Sequence, residues 1–235
     1  RLGVVLPTAR TGVWRASAGR GFRAPSLAER FVSTVVQGIP VVPNPNLDPE
    51  TAWSFELGNG ASLLSAVRSD AALFWTEAYD LIEPTLESGR IQFRNVTRAR
   101  LVGLDLAVTA TPPVAGLTTT LSYTFLHARE LAHDTVPERP LAFRPRHLLT
   151  LSADYQHGAI GVGGDFRYAS RLDRVEIYEL DHRVAEKVLD LRASAVWGAW
   201  TLRAQVANAL NYIYSQVPRT LAPVRMLTAT MTWTY

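Results

Sequence analysis

Cysteine is absent, which removes thiol nucleophiles, disulfides and cysteine–zinc sites together. Five histidines and many serines would allow a serine–histidine–aspartate set on paper. No Gly-x-Ser-x-Gly turn is present to hold a serine out as a nucleophile, so no catalytic residue is assigned. His127 and His133 stand six apart around Arg129 and Glu130, with Asp134 following. Metal ligands follow other spacings, and a polar loop explains the group; neither a metal site nor a cofactor is expected. Two segments are suited to hold a small molecule. Arg174 to His182 crowds Glu176, Tyr178, Glu179, Asp181 and His182 together, as a polar vestibule wall or simply a solvated loop. Phe31-Val32, Val35-Val36 and Ile39-Pro40-Val41-Val42 would line a pocket for an apolar solute, or pack as a loop core or short extra hairpin, the plainer reading. Nucleic acid is not a partner: 24 basic and 21 acidic residues are spread evenly, with no aromatic-interleaved basic stripe.

The elements that must carry these residues are strands. No apolar window approaches the roughly 18 residues of a spanning helix, so any membrane crossing here uses β-structure. The first residues, Arg1 to Pro7, lack the apolar stretch and cleavage site of a signal peptide and read as a strand entered midway, so the sequence is expected to begin inside a domain. Alternation with period two runs through the chain. Leu149, Leu151, Ala153 and Tyr155 oppose Thr150, Ser152 and Asp154; Leu189, Leu191, Ala193, Ala195 and Trp197 oppose Asp190, Arg192 and Ser194. Leu227, Ala229, Met231, Trp233 and Tyr235 oppose Thr228, Thr230, Thr232 and Thr234.

About eleven strands are predicted, near 1–6, 12–20, 51–60, 66–81, 91–110, 116–129, 143–156, 159–171, 186–197, 199–210 and 223–235. Short turns near 7–11, 61–65, 111–115, 157–158 and 198 alternate with longer loops over 21–50, 82–90, 130–142, 172–185 and 211–222. No linker divides the chain, so residues 1–235 are read as one domain.

Alternation alone also fits a soluble sandwich. Two features favour an antiparallel transmembrane β-barrel instead. The polar face mixes Thr and Ser with charges of both signs, as a water-lined lumen would, leaving the apolar face for lipid. All six tryptophans fall near strand ends: Trp14, Trp197, Trp200 and Trp233 by short turns or the C-terminus, Trp53 and Trp75 toward long loops. With Tyr235 they form two interfacial girdles. Bacterial single-chain barrels are even-numbered and an open edge cannot persist in lipid, so further strands are expected upstream.

An ordered series of boxes carries a resemblance. Phe22-Arg23-Ala24-Pro25 is followed by Asn44-Pro45-Asn46-Leu47-Asp48-Pro49-Glu50 and Glu56-Leu57-Gly58. Then come Phe74-Trp75, Asp80-Leu81-Ile82, Asn95-Val96, Gly103-Leu104-Asp105, Tyr123-Thr124-Phe125, Arg144-Pro145-Arg146-His147 and Asn208-Ala209-Leu210-Asn211-Tyr212-Ile213-Tyr214. The series resembles the C-terminal part of the TonB-dependent outer-membrane receptor barrel, over essentially the whole chain. The resemblance implies a barrel of twenty-two strands closed by an N-terminal plug that this chain lacks. It further implies multi-pass placement in a Gram-negative outer membrane and uptake of a scarce solute, energised by the TonB complex acting on the plug. Other implied partners are the barrel-assembly machinery, through the aromatic-ended last strand, and lipid or lipopolysaccharide. Tyr235 departs mildly from the phenylalanine more common there. A siderophore–iron or cobalamin-like chelate is the implied ligand. Haem ranks lower, because no histidine lies between Pro25 and Asn44, where haem-taking members carry an iron ligand. Arg23, Asn44, Asn46 and Glu50 become candidates for the loop base, plug contact or ligand vestibule, with a structural ion pair preferred for Arg23 and Glu50. A passive porin or structural barrel is the alternative.

Overall fold

The computed structural model describes residues 1–8, 12–132, 137–175, 183–215 and 220–234, with the backbone alone at 96 and 97. Its strands are β1 (Leu2–Pro7), β2 (Gly12–Arg23), β3 (Thr34–Val36), β4 (Ile39–Val42), β5 (Glu50–Leu64), β6 (Val67–Glu87) and β7 (Arg90–Ala110), then β8 (Leu117–Glu130), β9 (Arg139–Pro140), β10 (His147–His157), β11 (Ile160–Ala169), β12 (Glu186–Trp197), β13 (Trp200–Ala207) and β14 (Met226–Trp233). Among the described residues there is one short helix, α1 (Leu27–Phe31). All fourteen strands belong to one sheet, whose main path is β1-β2-β5-β6-β7-β8-β10-β11-β12-β13-β14. These are the eleven predicted strands, each antiparallel to its neighbour, with β3, β4 and β9 attached to the side.

One predicted loop is absent. Over 82–90 the chain stays in strand, so β6 and β7 reach 21 residues each. They close through Ser88 and Gly89, both at positive φ (50° and 74°), the backbone a two-residue hairpin requires. Pro84 and the charged flanks disguised this extension as a loop. The 21–50 segment is shorter than expected, because β2 continues to Arg23 and β5 begins at Glu50. Its apolar run does form a hairpin, β3–β4, turning at Gln37 and Gly38. Strand β4 then pairs in parallel with β7, Val41 against Ile91 and Val42 against Gln92.

Cross-strand register sorts the side chains onto two faces. Val108, Leu121, Leu151, Phe166 and Leu189 are successive partners on one face, while Thr109, Thr120, Ser152, Asp165 and Asp190 follow one another on the other. The apolar face is uncovered: Leu151 is 44%, Leu202 47% and Met231 58% exposed. On the polar face a recess of about 530 Å³ reaches from Thr118 across to Thr230, lined by Asp154, Arg192, Arg203 and Gln205. The buried hydrophobic side chains, among them Val41, Leu47, Ile82, Ile91, Leu141 and Val175, gather at the long-loop end. The wall itself has little core; its ladder and two distinct faces define it.

The strands are steeply inclined. Trp14, Asn59, Ala71, Leu106, Tyr123, Leu149, Tyr168 and Lys187 form one hydrogen-bonding row. That row starts beside the short turn following β1 and ends at the loop end of β12. A row perpendicular to the strands can climb the wall in this way only if the strands tilt.

Candidate functional site

The base of the longest loop is a polar knot on the inner face. Arg23 and Glu50 are register partners, the last residue of β2 facing the first of β5. The Arg23 guanidinium donates to both Glu50 oxygens at 2.7 Å and, through Nη1, to Glu29 Oε2 at 2.9 Å. Glu29 is the third residue of α1 and completes a capping box with Ser26, accepting from its N–H and Oγ at 2.7 and 2.8 Å. Glu50 Oε1 also accepts the Ile82 N–H at 2.6 Å, so one carboxylate joins three strands and Arg23 ties the helix to them through Glu29. The hydrogen bond from Arg23 holds the Glu29 carboxyl down at about 2, against the opposing effect of burial.

The second box locks the loop onto the β6–β7 hairpin. Asn44 Nδ2 donates to the Phe93 carbonyl at 2.9 Å, while its Oδ1 accepts the Asn46 N–H at 3.2 Å. Asn95 accepts the Asp48 N–H at 3.0 Å and donates to the carbonyls of Asp48 and Asp80 at 3.0 and 2.6 Å. Across the lumen side, Arg144 reaches Glu83 at 3.1 Å, and Arg139 and Arg174 both reach Glu130 at 2.7 Å. Burial pushes the Glu130 carboxyl up, but its two arginines outweigh this and keep it below the ordinary range. Near the other end of the chain, buried Asn208 adopts positive φ and binds Tyr212 and Pro223, closing the turn that follows β13.

A second arrangement lies deeper on the same face, toward the short turns. Arg15 on β2 reaches across β5 to Asp70 on β6, at 2.5 and 2.6 Å, and touches Glu56 at 3.2 Å. A Cβ on Gly58 would stand 2.7 Å from the Arg15 guanidinium carbon, so only glycine lets the side chain lie flat there. The pattern recurs five strands further along the wall. Arg192 on β12 crosses β11 to Asp154 on β10 at 2.6 Å and also pairs with Asp165, over Gly163. Sequence reading missed both. The sequence offered only the glycines inside strands, at 58 and 163; their charged register partners were set by the assembled sheet.

The tryptophans all lie on the apolar face. Trp14, Trp197, Trp200 and Trp233 sit at the short-turn end, Trp200 and Trp233 with centroids 6.3 Å apart. Trp53 stacks on Phe55 at 6.5 Å nearer the loop end, and Trp75 donates to Glu77 at 3.0 Å. Glu176, Tyr178, His133, Asp134 and Tyr235 lie outside the described residues. Among the described residues no group of three His, Asp or Glu is placed to hold a metal.

The profile described as TonB dependent receptor-like, beta-barrel matches residues 1–209. The chain belongs to the TonB-dependent receptor family. The family is one of outer-membrane barrels that act as receptors and transporters, not enzymes. Three solved structures share the receptor fold. The copper transporter OprC is 17% identical with TM-score 0.77, over 97% of this chain and 38% of its own. The siderophore receptor PirA from Pseudomonas aeruginosa is 17% identical with TM-score 0.68, over 98% and 38%. The ferric-catecholate import receptor Fiu from K12 E. coli, in a closed form, is 18% identical with TM-score 0.71, over 97% and 34%. No curated protein sequence matches the chain. The receptor chain thus spans well under half the length of these structures, and its sheet is part of a larger barrel. In this setting the two loop-base boxes act alike, since Arg23, Glu50 and Asn44 each bond to other parts of the chain.

Proposed function

We propose that residues 1–235 form the C-terminal portion of the barrel wall of a TonB-energised receptor in a Gram-negative outer membrane, taking up a siderophore–iron or cobalamin-like chelate. The uncovered apolar face carries this reading. Exposed leucines, tryptophans and methionines over the whole sheet are untenable in water, where contiguous apolar patches stay within a few hundred Å². The inclined row supports it in magnitude. Seven strand spacings of about 4.8 Å cover about 34 Å. Climbing an apolar band about 25 Å tall over that distance needs a tilt of roughly 45°, as membrane barrels have. On this reading Trp14, Trp197, Trp200 and Trp233 mark the periplasmic interface and Trp53 and Trp75 the outer one. The loops of the other end then form the extracellular vestibule, with Arg23, Asn44, Asn46 and Glu50 at its base. The Arg23–Glu50 pair fixes the loop base rather than touching ligand. The TonB complex engages through the plug domain of the whole receptor, and the assembly machinery through β14.

The test is uptake by a deletion strain supplied with labelled ferric siderophores or cobalamin under limitation. Loss of uptake of one chelate, restored by the intact gene but not when the TonB complex is disabled, is the expected result. Normal uptake of every chelate in the deletion strain overturns it, and uptake independent of TonB assigns a passive pore.

A further inference from the structure

Most charges on the inner wall are matched within it. Arg15 is held by Asp70 and Glu56, Arg192 by Asp154 and Asp165, and Arg167 by Asp190 and Glu186. Arg203 is different. It is exposed on the inner face of β13, and no described residue accepts a hydrogen bond from it. Arg68 is also without a described partner, but it lies at the foot of β6 beside the turn. Arg203 lines the recess of about 530 Å³.

Register sets what surrounds it. Ser194 of β12 and Thr230 of β14 are its two cross-strand partners, so a hydroxyl stands on each side of the arginine. One step along, Gln205 is the partner of Thr228, and these residues line the same recess. Neither the three hydroxyls nor the Gln205 amide bonds to a described residue. A Cβ on Gly161 would stand 2.7 Å from Ser194 Oγ, so glycine is what leaves that hydroxyl its place. Asp154, the carboxylate of the recess, is three strands away, about 14 Å at the usual spacing. It is already engaged with Arg192 at 2.6 Å. Exposed charges at physiological salt interact over roughly 8 Å, so Asp154 does not neutralise Arg203.

A guanidinium flanked on both sides by hydroxyls matches an oxyanion, its fork taking two oxygens and each hydroxyl donating to one. One free cation balances the single charge of a carboxylate, whereas a phosphoryl group carries about 1.5 to 2 negative charges near pH 7. The recess falls within the roughly 300–1,000 Å³ of small-molecule sites, which leaves room for the body of an organic acid. We propose that Arg203, Ser194 and Thr230 bind the carboxylate of an acidic small solute on the lumen wall, apart from the extracellular loops. This rests on the receptor reading above and adds to it a carboxylate-bearing class of solute.

The experiment is equilibrium dialysis of radiolabelled succinate against the full-length receptor in detergent. Wild type should retain succinate, and unlabelled succinate should displace it while uncharged succinamide does not. Arg203→Gln should weaken retention about tenfold or more, as loss of charge-assisted hydrogen bonds does. Ser194→Ala with Thr230→Val should weaken it several-fold. Arg20→Gln removes the same charge from the opposite face and should bind as wild type does. The gel shift of the folded barrel on heating checks each variant, and should Arg203→Gln not fold, the hydroxyl pair decides. No retention by wild type overturns the proposal; an acidic side chain of the plug seated on Arg203 would give that result. Retention unchanged in Arg203→Gln, displacement by succinamide, or an equal fall in Arg20→Gln overturns it too. No chelate or TonB complex enters this assay, so failure of the transport reading would leave its result unchanged, and the converse holds.

Discussion

The two ends of the wall are held by different means. At the short-turn end, side-chain bonds such as Arg15–Asp70 and Arg192–Asp154 cross one intervening strand and no more. At the loop end, Arg23, Glu29, Glu50 and Ile82 meet from four elements, β4 pairs in parallel with β7, and hydrophobic side chains are buried. The difference follows from solvent. A wall between lipid and lumen water needs only a ladder and two faces, whereas projecting loops in water must supply their own core and satisfy their own backbone.

That contrast can be broken or sharpened in several ways. The largest effect is expected at mid-height on the wall, where Leu151→Arg should cost about 2–4 kcal/mol in unfolding from lipid vesicles, while Thr150→Arg, one residue away, costs far less. Equal costs would mean that the two faces do not meet different solvents. At the loop end, Glu50→Ala leaves the Ile82 N–H without its side-chain acceptor and the Arg23 guanidinium with Glu29 alone. It should cost about 2 kcal/mol and expose residues 24–49 to protease, with the wall still folded. A comparable loss spread over the whole barrel would erase the distinction between the ends. At the turn end, Gly163→Val drives Arg192 from Asp154 and should cost about 1–2 kcal/mol, whereas Gly21→Ala, where a Cβ meets nothing within 4 Å, should be silent. The smallest effect concerns pH. The Glu29 carboxyl is held at about 2, below its ordinary 4.5, so its contribution is complete above 4.5 and fades as pH falls toward 2. Protease sensitivity of the 24–49 loop should rise through that window in wild type and stay flat in Glu29→Gln.

The resemblance to this family was legible because its boxes sit where the chain leaves and enters strands, at Phe22-Arg23-Ala24-Pro25 and Asn44 to Glu50. What those residues bond to was not. Arg15 finds Asp70 at a separation of 55 residues, and Asn44 finds Phe93 at 49. No local pattern announces such pairs. The 82–90 error has the same origin: Ser88-Gly89 can close either a tight hairpin or a loop, and pairing along the whole of β6 and β7 decides for the hairpin.

By itself the sequence determined eleven strands, their order and which side chains share a face, because a strand's period is two and each short turn brings successive strands together. It also determined that no cysteine chemistry is available. Only the tertiary structure decided that Arg20, Glu77, Arg100 and Arg129 form one row, that glycines on β5 and β11 serve as floors for arginines, and that β4 runs parallel to β7. Those facts depend on register between strands far apart in the chain, and register is a property of the assembled sheet, not of any one segment.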